Sequence, residues 1–432
     1  MKYRPSPTFA IAMAVLLGLG AAGGWIWHKM SLVPPELRAK LGLTGCLGYK
    51  PEAFRPPPTP EQFAALQRKS LVLKAQLVAE FPALKVTARP VPADKNGFLL
   101  LFKLSGGPGV DSPPLSEEFR QTLNADEPLD AAVAQRCLDG HAELVGQIER
   151  IAALTSRSSC DMPAGYSGFI GARTGKTCCD ILLLKARLAA ANHDEVETLR
   201  LVTAAGNLGD HYREVESPTL LCETVAILID MEIARRSVNS LLPAIGRNAD
   251  LKRWQNTLGR RRYDTAELAR VMRGEWDTSS EYLAFPALLD AAEHHELPDA
   301  EAVERAYCSW FSTCVTRLPA CPLADAFTVL KPPGDVPHLS KEGQNIMADL
   351  TIGTQAWSKG YVHMASQHAQ YQAALELLML EQAGAKLAAG DAARVALDPV
   401  SGKAFGFNPD QRELTGPGGS ADMDLKPLKL PW

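Results

Sequence analysis

Apolar residues recur at helical spacing over most of the chain, and this pattern sets the predicted architecture. Over 130–154, one helical face collects Val133, Cys137, Leu144, Ile148 and Ile151. The segment after Ser217-Pro218 is apolar nearly all round, which is typical of a helix at the centre of a bundle. Because short segments join successive helices, we predict a mainly α fold, either an antiparallel helical bundle or a short α-hairpin array.

Helix-start signals indicate where this helical body, predicted over 59–390, begins and how it is organised. Thr59-Pro60 supplies an N-cap and a first helical position. Asn192 and Glu195 are spaced as a capping box at the start of a later helix. A loop-rich stretch at 155–177 is a candidate division of the body into two subdomains.

The last part of the chain, 391–432, is rich in turn-forming residues. Asp398-Pro399 opens a turn, and short segments at 404–407 and 412–414 flank the polar residues 408–411. The sequence therefore predicts a turn-rich tail with a small C-terminal β-hairpin.

An uncharged stretch near the start of the chain indicates a membrane segment. Residues 9–27 carry no charge and end with Trp25 and Trp27, which suit a membrane interface. At a rise of ~1.5 Å per residue, such a helix spans about the ~30 Å hydrocarbon core of a bilayer. We predict a transmembrane signal-anchor at 1–28 and a Pro-rich linker at 29–58. A cleaved signal peptide and the reverse orientation stay open as alternatives.

The expected location follows from the charges around that stretch. Lys2 and Arg4 precede it, which favours translocation of the long remainder. We expect a protein of the bacterial cell envelope, anchored in the inner membrane, with its body in the periplasm or at the cell exterior. The expected partners are the membrane and other envelope proteins. The formal net charge of −4 over 432 residues gives no electrostatic support for nucleic-acid binding.

Nine cysteines follow the apolar segment, and in an oxidising compartment some of them are expected to pair. The candidates for disulfides are Cys308, Cys314 and Cys321 as one local set, and Cys160 with the vicinal pair Cys178 and Cys179. Their spacing does not match a zinc site, so no metal is predicted. The phosphate-loop-like segment 171–177 has three residues between its glycines instead of four, so no cofactor is predicted.

The best polar constellation for chemistry is formed by His211, Glu214 and Glu223, with Glu275 elsewhere in the chain. His211 and Glu214 are three residues apart on a predicted helix and thus share one face. A histidine beside a carboxylate is suited to proton transfer, and two carboxylates that reach one substrate suit hydrolysis. An envelope hydrolase is therefore one alternative function.

A basic segment supports another alternative. Residues 247–273 include eight basic and three acidic side chains, and Arg260, Arg261 and Arg262 are consecutive. Such charges are suited to binding anionic lipid headgroups or a cell-wall polymer. A docking module for lipid or for a wall polymer is therefore a second alternative function. A solvated helix face accounts for the same charges without any ligand.

Four segments together resemble a group of uncharacterised bacterial envelope proteins: Asn96-Gly97-Phe98, LLLKARLAAANHDE from Leu182, VMRGEW ending at Trp276, and DPVSGKAFGFNPDQREL from Asp398. Those proteins combine an N-terminal anchor, a long helical body and a C-terminal Asp-Pro-x-Ser-Gly-Lys turn. The resemblance implies no assigned activity and transfers no catalytic residue. The expectation is a membrane-anchored, extracytoplasmic helical binding or scaffold protein, with an enzyme as the lesser reading.

Overall fold

The structure is a computed structural model, and it describes residues 59–104, 113–124, 129–160, 172–261, 263–294, 297–417 and 425–432. The predicted signal-anchor at 1–28 and the linker at 29–58 lie outside these residues. Within the described ranges, no helix combines the length and the hydrophobicity needed to cross a bilayer.

The predicted mainly α fold is confirmed. In chain order the helices are α1 (Pro60–Glu80), α2 (Gly97–Leu104), α3 (Glu117–Asn124), α4 (Ala131–Gly140), α5 (Ala142–Ala152), α6 (Ala172–Ala191), α7 (Glu195–Arg213), α8 (Leu220–Arg236), α9 (Leu242–Ile245), α10 (Leu251–Leu258), α11 (Thr265–Ser279), α12 (Phe285–Glu293), α13 (Ala300–Arg317), α14 (Ala326–Val329), α15 (Lys341–Gln382) and α16 (Ala392–Val395).

These helices belong to two compact units. Unit 1 comprises the described residues up to Thr87 together with Thr265–Gly360. Unit 2 comprises Ala88–Asp264 together with Tyr361–Trp432. The candidate division at 155–177 falls within the range of unit 2.

Side-chain caps fix the helix starts. At the start of α1, the Thr59 hydroxyl accepts from the Gln62 N–H at 3.3 Å, and the Gln62 amide oxygen accepts from the Thr59 N–H at 2.8 Å. At α7 the cap is Asp194, whose carboxylate accepts from the Glu197 N–H at 3.0 Å. Asp194 rather than Asn192 therefore caps this helix, because the chain is still turning at position 192.

Aromatic side chains fill the core of unit 1. Trp276 on α11, Phe285 on α12, and Tyr307 and Phe311 on α13 are all buried. Their rings meet edge to face, with centroids 6.5 Å apart for Trp276 and Phe285 and 6.4 Å apart for Phe285 and Tyr307. These contacts hold α11, α12 and α13 together.

The helices α6, α7 and α8 pack against one another in unit 2. Only 192–194 separates α6 from α7, and 214–219 separates α7 from α8, as in consecutive helical hairpins. The helix α8 buries apolar side chains nearly all round, including Val225 and Ile229, so its predicted central position is confirmed.

A glycine on α6 permits the close approach of α7. A Cβ atom at Gly175 would lie 2.5 Å from the Tyr212 ring, and this ring is buried and packs edge to face on Phe98 at 5.7 Å. Gly175 belongs to the segment that resembles a phosphate loop at first sight. In unit 2 this glycine serves helix packing.

Three short strands follow the helices: β1 (Gly406–Asn408), β2 (Glu413–Thr415) and β3 (Leu428–Lys429). They form an antiparallel sheet in the order β1-β2-β3. The predicted C-terminal hairpin is therefore confirmed, and β3 adds a strand that the sequence did not indicate. The Gln370 amide on α15 donates to the carbonyls of Leu414 at 2.9 Å and Lys426 at 3.1 Å, which ties the sheet to the helical part of unit 2.

We predict that Gly175→Ala lowers the free energy of unfolding by about 1–3 kcal/mol, because the added methyl group overpacks the buried Tyr212 ring. Gly146→Ala on α5 is the matched control, since a Cβ at this position would lie no closer than 3.8 Å, from the Arg150 guanidinium. The control should be neutral or stabilising by up to about 1 kcal/mol. Urea unfolding compares the two, and equal stability would show that α6 and α7 are not closely packed at this point.

Candidate functional site

A buried arginine joins α7 to α8 in the interior of unit 2. The guanidinium of Arg213 donates from Nε to both carboxylate oxygens of Glu223 at 3.1 Å. Its Nη2 donates to Asp230 Oδ2 at 2.7 Å. Glu223 and Asp230 are seven residues apart on α8, two helical turns, so both carboxylates face the same arginine.

Two further side chains complete this interior cluster. The Tyr263 hydroxyl donates to Asp230 Oδ2 at 3.2 Å, and the Tyr263 ring lies 5.1 Å from the His368 imidazole. His368 Nε2 is 3.1 Å from the Leu258 carbonyl, which assigns the proton to that nitrogen. Burial lowers the pKa of His368, so it is neutral in the fold.

The charges of the interior cluster stabilise one another. Burial alone would lower the pKa of Arg213, but Asp230 and Glu223 outweigh it and raise that pKa. Arg213 and Glu223 are buried, with only 1% of the Glu223 side chain exposed. A carboxylate held in this way is a structural partner of the arginine, since a substrate has no access to it.

His211 occupies a buried position on the same helix. Its Nε2 lies 2.8 Å from the Ile151 carbonyl on α5, and a Cβ at Gly97 would lie 2.2 Å from the imidazole ring. Burial lowers the pKa of His211 to about 4, although the hydrogen bond to Ile151 opposes this effect. His211 is therefore a neutral packing residue near pH 7, and it donates to a backbone carbonyl instead of activating a nucleophile.

Glu214, the C-cap of α7, lies at the surface, where 45% of its side chain is exposed. Arg157 Nη2 is 2.9 Å from Glu214 Oε2, and Arg261 Nη1 is 3.5 Å from Oε1. Arg89 Nη2 donates to the backbone carbonyl of Glu214 at 2.8 Å. Arg89, Arg157, Arg260 and Arg261 are called the rim arginines below; the charge of Glu214 also favours the protonated form of Arg260.

Arg260 lies across α7 beside these groups. Its Nη1 donates to Asn207 Oδ1 at 2.9 Å, and its Nη2 is 3.6 Å from Asp210 Oδ2. A Cβ at Gly206 would lie 2.1 Å from Arg260 Nη2, so the glycine provides the space for this guanidinium. Asp210 also pairs with Arg261.

Positive charge is crowded among the rim arginines. Burial lowers the pKa of Arg157, Glu214 opposes this shift, and the nearby Arg89 and Arg260 lower the pKa further. The pKa of Arg260 is also lowered, first by burial and then, against the effect of Asp230, by Arg213. A guanidinium whose neighbours include other guanidinium groups gains from any additional anion.

A small cleft opens beside the rim arginines within unit 2. Arg260 and Arg261 line it together with Gly206, Asp230 and His368. The cleft thus lies between the interior cluster and the rim arginines. Arg262, the third member of the predicted basic triplet, lies outside the described residues.

Glu275 belongs to unit 1, whereas His211, Glu214 and Glu223 belong to unit 2. It lies on α11, where its charge adds to burial in raising the pKa of Tyr307. Unit 1 also contains a buried carboxyl group that the sequence did not indicate. Glu304 on α13 is buried, and burial together with Glu301 raises its pKa to about 7.

Every cysteine in the described ranges carries a free thiol. Cys178 and Cys179 are buried on α6, and burial raises the pKa of Cys178 to about 12. Cys308 and Cys314 are buried on α13, and burial raises the pKa of each to about 12. Cys160 and Cys321 are more accessible. The predicted disulfide candidates remain predictions.

The residues that sequence reasoning missed are Arg89, Arg157, Arg213, Asp230 and Tyr263. The available signal was the position of Glu223 and Asp230 among the apolar residues of α8, because buried carboxylates need a cationic partner. Arg89 and Arg157 carry no such signal, since they reach Glu214 from distant parts of the chain.

Among the described residues, no group of three or more histidine, cysteine, aspartate or glutamate side chains is arranged to hold a metal ion. Comparison of the chain with protein-family models, with curated proteins and with solved structures finds no match.

We predict that His211 makes the fold sensitive to acid. With a folded-state pKa of about 4 and an ordinary value near 6.5, the unfolded state binds the additional proton between these values. The free energy of unfolding should therefore fall as the pH drops from about 6.5 to 4, by up to roughly 3 kcal/mol.

His211→Gln tests this, because the amide can still donate to Ile151 but does not titrate. Denaturant unfolding at pH 7 and pH 4 should show a flatter pH dependence for this variant than for the natural chain. His193→Gln, at an exposed position, is the control and should keep the natural slope. Identical slopes for all three proteins would contradict the buried, neutral state of His211.

Proposed function

We propose that this protein is a membrane-anchored, extracytoplasmic helical binding or scaffold module of the bacterial envelope. The observation that carries the binding role is the division of polar chemistry in unit 2. The interior carboxylates are paired with Arg213, whereas the rim arginines lie around a half-exposed glutamate beside a cleft. A surface of this kind is suited to holding an anionic partner.

The buried state of His211 and Glu223 gives the hydrolase alternative no support. His211 is neutral and bonded to a backbone carbonyl, and Glu223 is paired with Arg213. A general acid or base must reach the proton that it transfers. The rim arginines instead support the alternative of a docking module for an anionic envelope component, which is one form of the proposed binding role.

The anchor and the orientation are supported by the sequence. The uncharged stretch 9–27 has the length of a bilayer span, and the Pro-rich stretch 29–58 has the composition of a stiff spacer. In this proposal, the spacer separates the helical units from the membrane surface.

A reporter fused after Trp432 tests the anchor and the orientation. We expect alkaline phosphatase, which needs an oxidising compartment, to be active in this fusion and to sediment with membranes. Deletion of residues 1–28 should release the fusion into the soluble fraction and abolish reporter activity. If the alkaline phosphatase fusion is inactive, whereas a fusion to a reporter that works only in the cytosol is active, the proposed topology is overturned.

A further inference from the structure

We infer that the rim arginines form a binding site for a phosphate-bearing dianion, which takes the place of the Glu214 carboxylate. This inference deepens the proposed binding function and rests on it for its biological role. It does not rest on the membrane anchor. The ligand class is a phosphate monoester or a pyrophosphate, either free or as part of a lipid headgroup.

The charge of the site favours an additional anion. The four rim arginines are accompanied by three carboxylates: Asp210, Glu214 and Glu216. The balance of these seven side chains is therefore +1. Burial is the main cause of the lowered pKa of Arg157 and of Arg260, and neighbouring guanidinium groups lower both further. A bound dianion relieves this repulsion more than a monoanion does.

Glu214 holds a partly exposed position at this site. Its carboxylate is 45% exposed and has contacts of 2.9 Å and 3.5 Å to Arg157 and Arg261. The Arg157 and Arg261 side chains are only 15% and 13% exposed, so Glu214 is the exposed partner in each pair, and its carboxylate can move into solvent when a competing anion binds. Glu223, buried against Arg213, cannot be displaced in this way.

The charge and the shape of a ligand decide how well it competes with the Glu214 carboxylate. A free monocarboxylate carries no more charge than Glu214 and also loses translational freedom on binding, so it competes poorly with a side chain already in place. A phosphate group carries more charge and matches the fork of an arginine bidentately. The chemistry of the site therefore favours a phosphate dianion over a carboxylate.

The site must also have space for the phosphate ligand. The ligand would occupy the surface position of the Glu214 carboxylate, near Arg89, which has 60% of its side chain exposed. The cleft lined by Gly206, Arg260 and Arg261 has room for about one water molecule and so only adjoins the ligand. Because Gly206 has no side chain, the Arg260 guanidinium lies close against α7. A Cβ at this position would push the guanidinium away without removing its charge.

Calorimetric titration of the full-length chain in detergent with pyrophosphate tests the site. We expect Arg157→Gln and Arg260→Gln each to weaken binding by about tenfold or more, since each removes a charge-assisted contact. Arg394→Gln, at a highly exposed arginine of α16, is the matched control and should leave the affinity unchanged. Gly206→Ala should weaken binding although it retains every charge.

Glu214→Gln supplies the distinguishing result. Removal of the internal competitor should tighten pyrophosphate binding severalfold, whereas Glu342→Gln, which removes an equal charge at an exposed position of α15, should not. Unchanged affinity in Glu214→Gln would overturn the displacement. Absence of binding, or equal affinity for the natural chain and Arg157→Gln, would overturn the site itself. Urea unfolding of each variant checks that the variant is folded. If an arginine variant does not fold, the affinity of Gly206→Ala for pyrophosphate still tests the site.

Titration in detergent with short-chain phosphatidic acid separates the two sources of phosphate, because the proposed anchor would itself hold the full-length chain on any vesicle. If phosphatidic acid binds the natural chain but not Arg157→Gln, and short-chain phosphatidylcholine binds neither, the source is a lipid headgroup. Binding of pyrophosphate without binding of either lipid identifies a soluble phosphate compound. If the reporter experiment places Trp432 in the cytosol, the proposed topology is overturned, but the titration with pyrophosphate still tests the site. Failure of the proposed topology and failure of the phosphate site are therefore distinguishable.

Discussion

The ion pairs of Arg213 inside unit 2 are the interaction on which the organisation of this unit depends. A guanidinium taken out of water must be matched by anions with good geometry, and Glu223 and Asp230 provide them from one face of α8. The cluster fixes the end of α7 against α8 and, through Tyr263, the chain that follows α10. Apolar packing sets how close the helices lie, and these charges set their register.

The same constraint divides the polar chemistry of unit 2. Arg213 is the last residue of α7, and Glu214 follows as its C-cap, so the end of one helix supplies Arg213 to the interior cluster and Glu214 to the rim arginines. Cations are favoured near a helix C-terminus, where unpaired carbonyls accumulate negative charge. Arg89 satisfies one of these carbonyls directly. Inside, the arginine is matched and inaccessible, whereas at the surface positive charge is in excess.

The helical fold and its central helix follow from local patterns, since the apolar residues of α8 and the Thr59 cap act within a few residues of sequence. The candidate site could be recognised only in part. Glu214, Arg260 and Arg261 were identified as candidates, but their partner Arg89 is 125 residues from Glu214 in the sequence. Such a pairing depends on the tertiary fold, which no local spacing encodes. The burial of His211 arises in the same way, from its contact with Gly97.

The central claim is that Arg213 is held by two carboxylates that would be unstable without it. Denaturant unfolding of Arg213→Met and of the triple variant Arg213→Met, Glu223→Gln, Asp230→Asn tests this most directly. The single variant should lose about 3–5 kcal/mol of unfolding free energy, because two buried carboxylates lose their cation. The triple variant should recover most of that loss. A triple variant as unstable as the single one, or a single variant as stable as the natural chain, would contradict the account.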